Sequence, residues 1–219
     1  MSDTTEPTPA STPPASTPAD VVTITRTGID KFLIGLGVVV TIVLAVAGAL
    51  LMWGSTFAED YVRDELGAQN ISFPPAESLT QEGRDDLAEY GGQLVDTGSE
   101  AEAYASYIAG HIDRIGGGMS YAELGGPERE ARSAVEDAIA NGASQDEVDE
   151  LQAAADQASS TRDTVFRGEI LRGTLLNTYA WWTIGRIAGI AAWVAFVAAV
   201  ACLALVIAGL LHMRKHRTA

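Results

Sequence analysis

Two stretches decide the fold: FLIGLGVVVTIVLAVAGALLMW, from Phe32 to Trp53, and IAGIAAWVAFVAAVACLALVIAGLL, from Ile187 to Leu211. Neither contains a charged residue, and no other part of the chain is comparably apolar. The first run has 22 residues and the second 25. At about 1.5 Å per residue, a helix of the shorter length reaches roughly 33 Å, against a hydrocarbon core of about 30 Å. Both runs therefore read as transmembrane helices. The segment between them, 54–186, must project into one compartment or lie on the bilayer.

Charge assigns the direction, because Lys and Arg near span ends are retained in the cytoplasm whereas acids count for little. Lys31 precedes the first run, and Arg214, Lys215 and Arg217 follow the second. The segment between holds 9 Arg and no Lys against 25 Asp and Glu, a formal −16. The expected topology has both termini in the cytoplasm and the long loop outside. A cleaved signal peptide is the rival reading of the first run, with small residues at Gly48-Ala49 and Gly54-Ser55. Signal cores are about 7–15 residues long and follow a short basic region. This run exceeds that length and begins about 30 residues into the chain, so the uncleaved anchor is preferred.

The remaining composition excludes several classes. An acidic loop offers no basic face for phosphate neutralisation, so nucleic acid is not an expected partner. The single cysteine, Cys202, sits inside the second run, so residues 54–186 hold no disulfide and must fold by packing. Twelve Arg against 2 Lys, with abundant Ala and Gly, fit a GC-rich bacterial genome. Residues 1–28 are mostly Thr, Pro, Ser, Ala and acids, without apolar periodicity, and read as a disordered cytoplasmic tail.

Residues 54–186 read as helical throughout. The first span is expected to continue as a helix through Tyr61, Val62 and Leu66 to Gly67. Ile71 to Pro75 (ISFPP) should be extended, since each proline disfavours helix in the residue before it. Leu79 to Tyr90 predicts a weak helix broken at Gly83. Ser99 to Ile115 predicts the best one, with Tyr104, Tyr107, Ile108, His111, Ile112 and Ile115 on one face and Gly116-Gly117-Gly118 as its stop. Ser120-Tyr-Ala-Glu123 fits a capping box opening a short turn, with Pro127 in the first turn of a separate helix ending at Asn141-Gly142. A second box, Ser144-Gln-Asp-Glu147, opens the longest helix. That helix passes Val148, Leu151, Ala155 and Ala158, with Gly168 and Gly173 as candidate interruptions, towards the second span.

Candidate sites are few. His111 is the one histidine between the spans and is expected to be a buried polar residue or, alternatively, a pH-sensing one. With one histidine and no cysteine there, the usual zinc or iron ligand sets cannot form, so no metal, cofactor-binding or catalytic residue is assigned. Nucleophile elbows and phosphate loops are absent, and the acidic run Asp146-Glu147-Asp149-Glu150 is explained by the positive end of its helix dipole. Near the membrane, Trp53, Trp181 and Trp182 resemble an interfacial belt, with Arg186 reaching the headgroups or pairing with Glu59 or Asp60. Gly185 and Gly189 form a Gly-x-x-x-Gly pair continued by Ala191, Ala195 and Ala199, opposite a stripe of Thr41, Ala45 and Ala49 on the first span. Such faces let helices approach closely, either within the chain or in a homo-oligomer.

Four stretches, YVRDELGAQNISFPP, AYASYIAGHIDRIGGGMSYAEL, TVFRGEILRGTLLN and TYAWWTIGRIAGIAAW, together resemble a set of actinobacterial two-span integral membrane proteins that carry no established activity. The resemblance covers most of residues 55–195. Some similar proteins bear a ring-opening dioxygenase label, which these residues do not support because the iron ligands are missing. The resemblance implies a plasma-membrane protein with its helical loop outside the cell.

The expected class is therefore an all-α membrane protein. It has a tail (1–28), two spans (32–53 and 187–211) flanking an extracytoplasmic helical bundle (54–186), and a basic cytoplasmic tail (212–219). Its expected role is that of an interaction or scaffold module, with the bilayer and a membrane protein or second copy as partners. A ligand- or pH-sensing protein signalling through a partner is the alternative, and an enzyme ranks last.

Overall fold

A computed structural model describes residues 26–217 of the chain, with side chains over 28–215. Most of the expected disordered tail lies outside the described residues. Its last residues, 26–28, belong to a helix. The elements are α1 (Arg26–Gln69), α2 (Ala76–Gln81), a 3-10 helix (Asp85–Tyr90), α3 (Gly98–Gly116), α4 (Tyr121–Ala140) and α5 (Gln145–Arg217). Among the described residues there is no strand, only an isolated antiparallel bridge between Ser72 and Leu94. Two of the helices, α1 and α5, are long and apolar enough to cross a membrane.

The described residues fall into two compact units. The smaller comprises the helical part of Met1–Thr41 with Val200–Ala219, and the larger is Ile42–Ala199. In the smaller unit α1 and α5 pack closely at glycines. A Cβ at Gly37 would stand 2.7 Å from Val206, and one at Gly209 would stand 3.3 Å from Ile34. Lys31, Arg214 and Lys215 are exposed here, while the side chain of Arg217 lies outside the described residues.

In the larger unit, α1 does not stop at Gly67. It runs to Gln69 and is closed by Asn70 in the left-handed region (φ 52°), whose N–H donates to the Gly67 carbonyl at 3.1 Å. Asparagine tolerates that conformation better than most residues. Ile71 to Pro75 is extended, as two prolines require. It is tied down by Phe73 N–H to Gln93 O at 2.9 Å and Val95 N–H to Ile71 O at 2.8 Å. This segment carries Phe73 into the core beside Val62, Leu66, Val95, Ala101, Ala105 and Leu175. Burial of these apolar side chains, drawn from α1, the loop, α3 and α5, is the main force holding the unit together.

Three expected breaks are absent. Helix α4 runs unbroken from Tyr121, with Pro127 inside it. The proline removes the bond to the Glu123 carbonyl. However, Pro127 is exposed and the residue before it is Gly126, whose missing Cβ removes the steric clash that normally ends a helix there. Gly168 and Gly173 likewise do not interrupt α5. Gly168 is the close-approach point of α3 and α5, where any Cβ would strike the Ile112 side chain.

The long helices pack along stripes of alternating three- and four-residue spacing. On α1 the buried or half-buried positions include Thr41, Ala45, Gly48, Ser55, Val62 and Leu66, whereas Ala49 is exposed. Steps of four rotate each residue about 40° off the last, so a pure i+4 ladder leaves the interface after two steps. The same drift makes Ala192 and Ala199 the buried alanines of residues 187–211, with Ala191 and Ala195 at the edge.

Candidate functional site

Three polar or small-residue arrangements connect the helices of the larger unit. The first is the crossing of α1 and α5. A Cβ on Gly189 would lie 2.6 Å from the Ser55 hydroxyl, and one on Gly185 would lie 2.8 Å from the Ala58 methyl. The Gly-x-x-x-Gly pair is thus filled by the chain's own α1. Ser55 is buried there, and small residues gain dispersion energy by letting two backbones approach. Gly189→Leu is expected to force the pair apart and destabilise the unit by about 1–3 kcal/mol. A thermal unfolding midpoint unchanged by the substitution would refute this packing.

At the same level the aromatic residues divide. Trp53 and Trp181 are exposed, and Trp53, Phe57 and Tyr61 stack along one outer face of α1 with centroids 5.8 and 6.1 Å apart. Trp182 instead turns inward and packs on the core. Arg186 lies over the Trp182 ring at 4.9 Å, a cation–π arrangement, and forms no ion pair with Glu59 or Asp60.

The second arrangement joins α2 and the 3-10 helix to α3. Arg84 grips Asp86 through two bonds (2.9 and 2.8 Å) and donates to the Ser106 carbonyl and hydroxyl, both at 2.8 Å. The Arg84 hydrogen bond holds the Asp86 carboxyl below its usual range. About two turns further along α3, Arg114 donates to Glu82 at 2.7 Å, and Tyr107, next to Ser106, donates to Glu82 at 3.5 Å. His111 approaches Arg114 at 3.4 Å through Nδ1 and tilts against the Tyr107 ring.

His111 is exposed, contrary to its expected burial. The buried line of α3 is Ala101, Ala105 and Ile112, because the closest approach of packed helices favours small side chains and displaces large rings to the flanks. Those rings form a run from Tyr90 through Phe73, Tyr104 and Tyr107 to His111, with centroids 5.1 to 6.2 Å apart. Burial pushes the hydroxyls of Tyr104 and Tyr107 up from their ordinary value.

The third arrangement, a latch between α4 and α5, was not foreseen from the sequence. Buried Glu128 accepts from Ser159 at 2.6 Å, Arg162 at 2.7 Å and Arg132 at 2.8 Å. Arg162 also lies over the Tyr121 ring at 4.3 Å. A polar groove of about 510 Å³ opens beside these groups, lined by Tyr121, Ser160, Asp163 and Phe166 as well. A partner 34 residues away has no local signal, so only the tertiary arrangement reveals this pair.

The hydrogen bonds from Ser159 and Arg162 hold the Glu128 carboxyl below the ordinary glutamate value. A carboxylate held low in the folded state stabilises above its unfolded value and loses that contribution as pH falls. The latch should therefore be complete above about pH 5 and weaken as pH falls through and below the ordinary range near about 4.3. Thermal unfolding of Glu128→Gln should lie below the parent at neutral pH and converge on it in acid. Parallel curves at all pH values would refute the latch.

Capping accounts for two further acids. Thr97 and Glu100 form a reciprocal box at the start of α3, and Ser120 and Glu123 form another at α4. The Thr97-x-x-Glu100 spacing is a local signal that starts α3 at Gly98, one residue ahead of the expected Ser99. In the smaller unit, a groove of about 320 Å³ lies between the helices, with Leu33, Ile34 and Val206 on its walls and Asp30 and His212 among its polar residues. Among the described residues, no cluster of three or more His, Cys, Asp or Glu could hold a metal. No family model, curated protein or solved structure matches the chain.

Proposed function

We propose that the chain is an integral protein of a bacterial plasma membrane, crossing it twice, whose residues 54–186 form an extracytoplasmic interaction or scaffold module. On this reading both termini are cytoplasmic and the module serves as an accessory subunit or an envelope scaffold.

One observation carries the reading. Within a single compact unit, the apolar parts of α1 and α5 continue without a break into the helical bundle. Two unbroken helices give a stiff connection, since a bend needs a proline, a bulge or an inserted group. A module built on two such continuous helices suits a docking surface. The strongest polar groups, Glu128, Arg84 and Arg114, are taken up in bracing helices against one another.

Cysteine labelling in intact cells tests the topology. In a Cys202→Ala background, a membrane-impermeant maleimide should react with Asn141→Cys, at the exposed turn between α4 and α5, and not with Arg214→Cys until the cells are lysed. Labelling of Arg214→Cys alone would reverse the orientation, and release of the protein by alkaline carbonate would refute the anchors. Cross-linking in native membranes should then recover the module joined to another chain, and recovery of monomer alone would refute the interaction role.

A further inference from the structure

The groove of the smaller unit has the depth of one bilayer leaflet. From His212 to Cys202 it runs about 15 Å along α5, half of a hydrocarbon core of about 30 Å. Its polar residues Asp30 and His212 lie at the end nearer the chain termini, and Leu33, Ile34, Leu205 and Val206 make apolar walls beyond them. Glycine shapes it. Gly37 and Gly209 both line the groove and bring the two helices close, which leaves the neighbouring Leu33 and Leu205 exposed at its sides.

We propose that this groove binds one anionic glycerophospholipid, with an acyl chain between α1 and α5 and the phosphate at the polar mouth. The proposal rests on the membrane topology proposed above, which puts this end of both helices at the cytoplasmic surface.

Width selects an acyl chain. The groove volume of about 320 Å³, spread over about 15 Å, averages on the order of 20 Å² in section. A helix with its side chains is about 10–12 Å across and needs roughly 80–110 Å². A single hydrocarbon chain fits within the groove, and a third helix does not.

Charge selects the headgroup. The chain as a whole carries a formal −15, with 25 acids between the spans. In the smaller unit the balance reverses: among the described side chains Lys31, Arg214 and Lys215 stand against the single acid Asp30. Lys31 follows Asp30 on α1, and Arg214 and Lys215 follow Met213 on α5, so all three lie within about one turn of the mouth. Their long stems can lie along apolar surface while the charges reach phosphate level. Basic residues beside a crevice between spans on the cytoplasmic side are suited to lipid phosphates. Asp30 adds an acceptor at the mouth, which suits a headgroup carrying hydroxyls, such as glycerol.

Photolabelling of the full chain in phosphatidylcholine nanodiscs tests the site. The probe is phosphatidylglycerol with a diazirine on one acyl chain, at trace level, and modified residues are mapped by mass spectrometry. Cys202, Leu205 and Val206 should be labelled several-fold more than Leu36 and Leu203, which are exposed at similar depth outside the groove. A phosphatidylcholine version of the probe should label the groove about tenfold less, as should the phosphatidylglycerol probe on a chain carrying Lys31→Gln, Arg214→Gln and Lys215→Gln. Cys202→Phe fills the deep end and should lower labelling at Leu205 and Val206 while leaving Leu36 unchanged. Equal labelling inside and outside the groove would overturn the proposal. So would groove residues labelled less than Leu36 and Leu203, the result of a covering helix. Equal labelling by the phosphatidylcholine probe, or suppression by inorganic phosphate alone, would overturn the headgroup assignment. Absence of label from both apolar runs would overturn the membrane reading instead.

Discussion

Phe73→Ala is expected to lower the stability of the bundle by about 3–5 kcal/mol. Phe73 is only 3% exposed and sits between Tyr90 and Tyr104, with centroids at 5.2 and 5.1 Å. Truncation removes both aromatic pairs and opens a cavity beside Leu66, Val95 and Leu175 that the surrounding helices cannot fill. For a chain of this size each kcal/mol shifts the midpoint by roughly 2–4 °C, so a drop on the order of 10 °C should appear in thermal unfolding in detergent or nanodiscs. Phe73→Leu keeps most of the volume and should recover more than half of the loss. Full recovery by Phe73→Leu would mean that the ring stack contributes nothing beyond bulk, and equal losses would refute the cavity account.

Gly168→Val should be comparably severe for the opposite reason. The site has no room, since even a Cβ would strike Ile112 across the α3–α5 contact. Overpacking of this kind costs about 1–3 kcal/mol, more where backbones must separate. Gly173→Ala, five residues along the same helix, is the control. Nothing lies within 4 Å of its missing Cβ, so the change should raise stability by up to about 1 kcal/mol through helix propensity alone. Opposite signs at these two glycines are the expected result by thermal unfolding of the monomer, and losses at both would refute the close approach at Gly168.

These contrasts show where the sequence was readable. The two apolar runs, the extended Ile71 to Pro75 segment and the boxes at Ser120 and Ser144 all depend on residues close in sequence. Of these, the Ser144 box shows one of its two bonds, with Ser144 accepting from the Glu147 N–H at 3.4 Å. Glycine was the hardest residue to read. Gly168 and Gly173 carry the same local propensity to break a helix, yet one is a packing point and the other an open surface. His111 was misplaced for a related reason: periodicity marks a face about 100° wide, and the neighbouring helix chose the alanine edge of it.

Composition and local pattern alone determined an all-helical chain with two membrane-length apolar helices and an acidic segment between them. Backbone preferences, capping and hydropathy act over a few residues, so they survive without tertiary information. Tertiary structure decided that α1 and α5 run on into the bundle, that Gly189 closes on Ser55, and that Glu128 holds Arg162 across 34 residues. Each of these is set by which surfaces meet, and a meeting of distant surfaces leaves no mark in the sequence on either side of it.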